Sequence, residues 1–184
     1  MRQQLWDALT PLRSPQRRDQ LPVKWVRPEN IHLSLKFLGD VDEARGGELQ
    51  SALQRAAGGC GGGGSEPRSL ALQVTGFGVF PDYRRPNVLW AGVTPDPALE
   101  LLQHRVEQEF APLGFPSEGR PFRPHVTLGR TNRDARPRDF AGLEGEFAKI
   151  SFDETVSIGE LDLMQSTLRP EGPVYQVKYH ERLL

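Results

Sequence analysis

Two of the four histidines head closely similar tetrapeptides about half the chain apart, His32-Leu33-Ser34-Leu35 and His125-Val126-Thr127-Leu128. Imidazole titrates near pH 6.5, so one histidine of a pair can accept a proton while the other, charged, donates one. Hydroxyl groups donate hydrogen bonds to non-bridging phosphoryl oxygens, where charge builds in a transition state. Two imidazoles beside two hydroxyls therefore suit metal-free phosphodiester chemistry. Which histidine is the acid and which the base does not follow from motifs so alike. A metal centre is the competing use of histidine. It needs a third and usually a fourth ligand, yet His104 falls in an expected helix and His180 near the C-terminus. No His-x-His or His-Glu-x-x-His spacing occurs, so no metal and no cofactor are expected. Nothing marks Ser34 or Thr127 as a covalent nucleophile.

The elements that must position these groups are strands. Residues two apart along a strand share a face. An expected strand over 31–38 puts Ile31, Leu33, Leu35 and Phe37 on an apolar core face, and His32, Ser34 and Lys36 on the other. A second over 124–131 buries Val126 and Leu128 and presents His125 and Thr127. Alternation places Arg130 with the buried pair, whereas a bulge or twist would turn it toward the histidine face. Lys36, at a strand end, is expected to be solvated. Phe80 and Tyr83 are candidates to stack on a base, and Trp90 reads mainly as core.

Around these strands, leucines three and four apart predict a helix over 1–13, with Pro11 near its end. Further helices are expected over 42–57 and 97–113, the latter closed by Gly114. Additional strands are expected over 23–26, 70–74, 77–80, 88–93, 147–152, 155–165 and 174–179. Short strands in hairpins with three helices make an α+β fold with antiparallel sheet. Two similar lobes, each presenting one His-x-Ser/Thr strand, are anticipated. Residues 58–64 hold six glycines and Cys60, which predicts a flexible surface loop over 58–65. It is no phosphate-binding loop, because Glu66-Pro67 follows rather than Gly-Lys-Ser/Thr.

Composition bounds the partners. The 184 residues carry 23 Lys plus Arg against 24 Asp plus Glu, a net charge of −1, which argues against a protein that coats long nucleic acid. Only Lys24, Lys36, Lys149 and Lys178 are lysines, so arginine dominates the basic residues. Six arginines lie between Arg120 and Arg138 with Asp134 as the sole acid, concentrating positive charge around His125. A single cysteine excludes an intramolecular disulfide. With no long apolar run and no secretory leader in MRQQLWDALTPLR, no membrane contact and a cytoplasmic location are expected.

Longer blocks around these motifs carry a resemblance. Residues 25–39 (Trp25-Val26-Arg27-Pro28-Glu29-Asn30-Ile31 running into the first motif), Gly76–Pro81 with Arg85-Pro86 and Val88-Leu89-Trp90, Phe122–Arg130, and Leu161–Leu168 with Gly172–Tyr175 resemble the 2H phosphoesterase superfamily. The specific likeness is to RNA 2′,3′-cyclic phosphodiesterases (LigT-like, or 2′-5′ RNA ligases). The resemblance implies one domain over 1–184, with two pseudo-symmetric lobes of antiparallel sheet, outer helices and an active-site cleft between them. It implies hydrolysis of a terminal RNA 2′,3′-cyclic phosphate to a 2′-phosphate, and in some members reversible ATP-independent 2′-5′ ligation. His32 matches the proton donor and His125 the proton acceptor, while Ser34, Thr127 and Arg130 match substrate-binding positions. Ser34 stands where members commonly have threonine, which keeps the hydroxyl. Members usually open on a hydrophobic strand, whereas here Arg2-Gln3-Gln4-Leu5-Trp6 follows Met1 directly. The expected partners are RNA ends with a cyclic phosphate, tRNA fragments among them, or cyclic nucleotides, and the expected state is a monomer. Alternatives are a phosphodiesterase for 2′-5′-linked oligonucleotides and a non-catalytic RNA-end or nucleotide-binding module.

Overall fold

A computed structural model describes residues 1–14, 20–58, 68–169 and 172–184. The described residues form helices α1 (Arg2–Ala8), α2 (Thr10–Arg13), α3 (Gly46–Gly58), α4 (Pro97–Phe110) and α5 (Leu143–Phe147). The strands are β1 (Val23–Trp25), β2 (Leu70–Phe80), β3 (Val88–Val93), β4 (His125–Thr131), β5 (Asp153–Ile158), β6 (Glu160–Arg169) and β7 (Gly172–Arg182). Strands β1 to β5 make one sheet in the order β1-β4-β3-β2-β5, and β6-β7 form a separate antiparallel hairpin. The expected α+β class with antiparallel pairing is what the chain adopts. The glycine-rich stretch expected as a loop over 58–65 lies, apart from Gly58, outside the described residues.

The chain divides into two compact units. The first comprises residues 1–33, 73–94 and 124–156. Its sheet buries one face through Val74, Val79, Leu89, Ala91, Val93, Val126 and Leu128, because every second residue of a strand faces the same way. Leu5, Leu9 and Leu12, spaced three and four apart, are buried from the helical segment. That segment is split at Leu9 into α1 and α2, with Pro11 at the start of α2, where its missing N–H is tolerated.

The second unit comprises residues 34–72, 95–123 and 157–184. Leu49, Ala52, Leu53 and Ala56 of α3 and Leu102, Val106 and Phe110 of α4 form one buried cluster with Leu161 and Leu183. Asp96 caps α4 by accepting from the backbone N–H groups of Ala98 and Leu99 at 2.9 and 3.0 Å. Gly114, at φ +88°, ends the helical run in a left-handed conformation that favours glycine.

Several expectations are corrected. The segment expected as a strand over 31–38 forms one isolated bridge, at Leu33, and Phe37, assigned to the core face, is 72% exposed. The two short strands expected over 70–80 are one strand with a bulge near Gly76. The strand expected over 147–152 is instead the end of α5 and a loop, and the one over 155–165 breaks at Gly159 into β5 and β6. Lys36 is not solvated: its ammonium pairs with Glu107 of α4 and also donates to the Pro116 carbonyl at 2.9 Å.

On the hairpin, His180 Nδ1 lies 2.7 Å from Asp162 and Nε2 lies 3.3 Å from Glu160. The hydrogen bond to Asp162, helped by the negative charge of Glu160 and Asp162, raises its proton affinity above that of an ordinary histidine. A raised folded-state pKa stabilises fully below the unfolded value near 6.5, and that contribution is lost as pH rises through the folded value. Thermal stability is therefore expected to drop slightly just above pH 6.5, and His180→Gln to remove that step. Melting scans of both proteins across pH 5.5–8.5 check this.

Candidate active site

Strand β4 carries the second motif as expected. Val126 and Leu128 are buried, and His125 and Thr127 are half-buried on the opposite face. The first motif reaches the same place by a different route. Pro28–Asn30 make one 3-10 turn, closed by Ile31 N–H donating to the Pro28 carbonyl at 3.2 Å. Ile31 is then buried, and an antiparallel bridge pairs Leu33 with Val126. Directly paired residues share a face and their neighbours take the other. His32 is thus on the face of the sheet that carries His125 and Thr127.

Both histidines belong to the first unit. The division between the units falls between Leu33 and Ser34, inside the first motif. The bridge makes the two His-x-Ser/Thr triplets meet at their central residues. Ser34, the next residue along, is half-buried and is the first residue of the second unit.

Local contacts orient the rings. His32 Nδ1 lies 2.7 Å from the Asn30 carbonyl oxygen, an acceptor only, so Nδ1 carries the proton and donates it. In the neutral ring this leaves the lone pair on Nε2. Phe80 meets the His125 ring edge to face, with centroids 5.0 Å apart at 84°. Phe80 in turn contacts Trp90 at 5.3 Å. Trp90 lies directly opposite both Gly78 and Thr127, so it joins the histidine face and is half-buried there rather than in the core. Its indole fits because Gly78 has no side chain. A Cβ at Gly78 would lie 2.3 Å from the ring. Gly78→Ala is accordingly expected to lower stability by about 1–3 kcal/mol through overpacking and to change tryptophan emission. Denaturant titration followed by fluorescence measures both. Tyr83, the other candidate for stacking, contacts Phe147 at 6.4 Å.

The register answers where Arg130 points. Thr127 pairs with Trp90 and Gly129 with Leu89, so Leu128 is an extra residue in β4 and forms a bulge. Beyond it, Arg130 pairs with Val88, two residues from Trp90 on β3. Arg130 therefore shares the face of Thr127 and His125, and its side chain is exposed. On the other edge of β4, Lys24 is paired with Arg130, placing a second cation on this face. The motifs give no sign of Lys24, since only strand register brings β1 there. Gly129 permits that pairing, because a Cβ there would meet Val23 Cγ1 at 2.5 Å.

A mixed helix and antiparallel-sheet protein with paired His-x-Ser/Thr triplets on one sheet face is of the two-histidine phosphoesterase type. The chain belongs to the 2′-5′ RNA ligase superfamily, whose family model matches residues 2–169. Relatives named RNA 2′,3′-cyclic phosphodiesterase include one from Methanothermobacter thermautotrophicus, 34% identical over 153 residues, covering 83% of this chain and 78% of that protein. Another, from Aquifex aeolicus, is 34% identical over 156 residues, covering 84% and 78% respectively. A crystal structure from Thermus thermophilus superposes with a TM-score of 0.76 at 25% identity, covering 99% of this chain and 91% of that one. The Escherichia coli LigT structure with 3′-AMP shares the fold at a TM-score of 0.70 and 22% identity, covering 99% and 90%.

Proposed function

We propose that this chain hydrolyses a terminal RNA 2′,3′-cyclic phosphate to a 2′-phosphate, without a metal, by paired histidine acid–base catalysis. The observation that carries this reading is the Leu33–Val126 bridge, which sets His32 and His125 on one face of one sheet. The names and extent of the relatives support the substrate class.

In this mechanism His125 removes a proton from water, whose oxygen attacks phosphorus opposite the 3′ oxygen. The phosphorus–O3′ bond breaks, and His32, protonated at Nε2 and held through Nδ1 by Asn30, gives its proton to O3′. The products are a 2′-phosphomonoester and a 3′-hydroxyl. Thr127 and Ser34 donate hydrogen bonds to the non-bridging oxygens, and Arg130 neutralises charge on them. When an RNA 5′-hydroxyl replaces water, the same transfers give a 2′-5′ linkage without ATP. The whole chain, residues 1–184, acts as one domain in this reading, as a monomer in the cytoplasm.

The test is product analysis on an RNA oligonucleotide ending in a 2′,3′-cyclic phosphate, with and without EDTA. A 2′-phosphate product formed at equal rates in both is the expected result. Loss of turnover in EDTA would overturn metal independence. Binding without turnover across pH 5–8 would reassign the chain to RNA-end recognition.

A further inference from the structure

One cavity carries chemistry that the two histidines do not use. It has a volume of about 290 Å³ and lies in the first unit, between the β2–β3 connection and the segment after β4. Arg85 and Asn87 come from one wall, and Arg130, Arg133 and Arg136 from the other; among the described residues no aspartate or glutamate lines it. The walls are tied together by backbone: Thr131 N–H donates to the Asn87 carbonyl at 3.1 Å, and Asn87 N–H to that of Phe80 at 2.7 Å. Asp82 accepts from the N–H groups of Arg84 and Arg85 at 2.8 and 3.1 Å. Its carboxylate is thus spent on holding the loop. Buried Phe140 also lines the cavity.

Four arginines around one cavity, with no Asp or Glu among its described lining residues, make a positive site that an anion would neutralise. General basicity does not account for them, because the chain sums to −1. Outside the cavity, Arg45 pairs with Glu48 and Arg55 with Glu109. The planar guanidinium fork matches phosphate oxygens in pairs. The cavity also continues the histidine face, because the bulge at Leu128 puts Arg130 on both. Across the bulge Arg130 stands two strand positions from Thr127, roughly 7 Å along the sheet, which is within reach of the neighbouring nucleotides of one RNA strand.

We propose that this cleft binds the phosphodiester backbone on the 5′ side of the reacting nucleotide. It is a subsite that favours RNA oligonucleotides over cyclic mononucleotides. The proposal builds on the reading of His32 and His125 as the centre that takes the RNA end. The direction follows from the chemistry, since a strand ending in a 2′,3′-cyclic phosphate continues only on its 5′ side.

The test uses the double variant Arg85→Ala/Arg133→Ala, which leaves Arg130 and both motifs intact. For an RNA oligonucleotide with a cyclic-phosphate end, KM is expected to rise about tenfold with kcat unchanged. For 2′,3′-cyclic CMP both constants should stay the same. The slope of log KM against log salt should weaken by about 0.7 for each phosphate that is no longer neutralised. In parallel, fluorescence anisotropy measures binding of the same RNA ending in a 3′-hydroxyl, which needs no turnover, and binding should weaken about tenfold. Equal losses on oligonucleotide and mononucleotide, or unchanged RNA binding, would overturn the proposal. If the unaltered protein turns over neither substrate, the hydrolytic reading fails and the anisotropy result still decides the cleft.

Discussion

Replacing either His32 or His125 by alanine is expected to lower kcat on a cyclic-phosphate RNA end by roughly 10²–10⁴-fold, the range for loss of a positioned general acid or base. The double variant should lose little more than the worse single one, because residues acting as a unit are not additive. The unaltered enzyme should show a bell-shaped dependence of kcat/KM on pH, reporting one group that must be protonated and one that must not. Each single variant should retain only one limb: His125→Ala keeps the limb of the acid, and His32→Ala that of the base. A merely structural histidine would instead reduce stability and leave the shape of the profile intact. Circular dichroism melting of each variant separates these outcomes. Full turnover in either variant would remove the mechanism altogether.

Thr127 provides a graded control on the same face. Thr127→Ser keeps the hydroxyl and should retain most activity, whereas Thr127→Ala removes the donor that the proposed mechanism assigns to the phosphoryl oxygens. Loss of one such donor elsewhere costs about 10²–10³-fold in kcat. The comparison is made on kcat, because a donor used mainly in the transition state leaves KM nearly unchanged.

The two halves of this site differ in how much the sequence reveals. Strand β4 is legible because strict alternation of apolar and polar residues follows Pro124, and burial of Val126 and Leu128 obeys it. The first motif carries the same alternation over a longer run, yet forms only one bridge. The reason is competition for one edge: β1 already occupies the end of β4 from Gly129 to Thr131, leaving room beside Val126 alone. The apolar run is then divided, with Leu33 bridged in the first unit and Leu35 and Leu38 packed on the core of the second. Phe37 is left outside. Read as a single period-2 pattern, such a division is invisible.

Arg130 shows the same limit from another direction. Alternation gives its face correctly only if the strand has no bulge, and the bulge at Leu128 is a property of the pairing with β3. The α5 region escapes a strand-by-strand reading for a more local reason. Phe140, Leu143 and Phe147 are spaced three and four apart and all buried, a helical pattern that the apolar residues Phe147, Ile150 and Phe152 mask. Helices α3 and α4 are legible throughout, since their stripes are long and α4 begins at a capping aspartate.

Replacing Glu107 by alanine is expected to destabilise the protein by about 3–5 kcal/mol, since it leaves a buried ammonium without its counter-charge. The side chains of Lys36 and Glu107 are only 3% and 7% exposed. Glu107 follows Val106 on the inward stripe of α4, so this carboxylate cannot swing into water. After the substitution Lys36 keeps one acceptor, the Pro116 carbonyl. Lys36→Ala should cost less, because Gln103 Nε2 still donates to Glu107 at 3.1 Å. The pair itself is a poor source of stability, because desolvation offsets most of the attraction. Lys36→Met combined with Glu107→Leu should accordingly recover to the parent level or exceed it by about 1–4 kcal/mol. For a chain of this size each kcal/mol shifts Tm by about 2–4 °C, so Glu107→Ala and the double variant should differ by about 6–20 °C or more. Urea titrations of the four proteins measure these differences. A double variant no more stable than Glu107→Ala would mean that Lys36 and Glu107 are held for their packing rather than for mutual neutralisation.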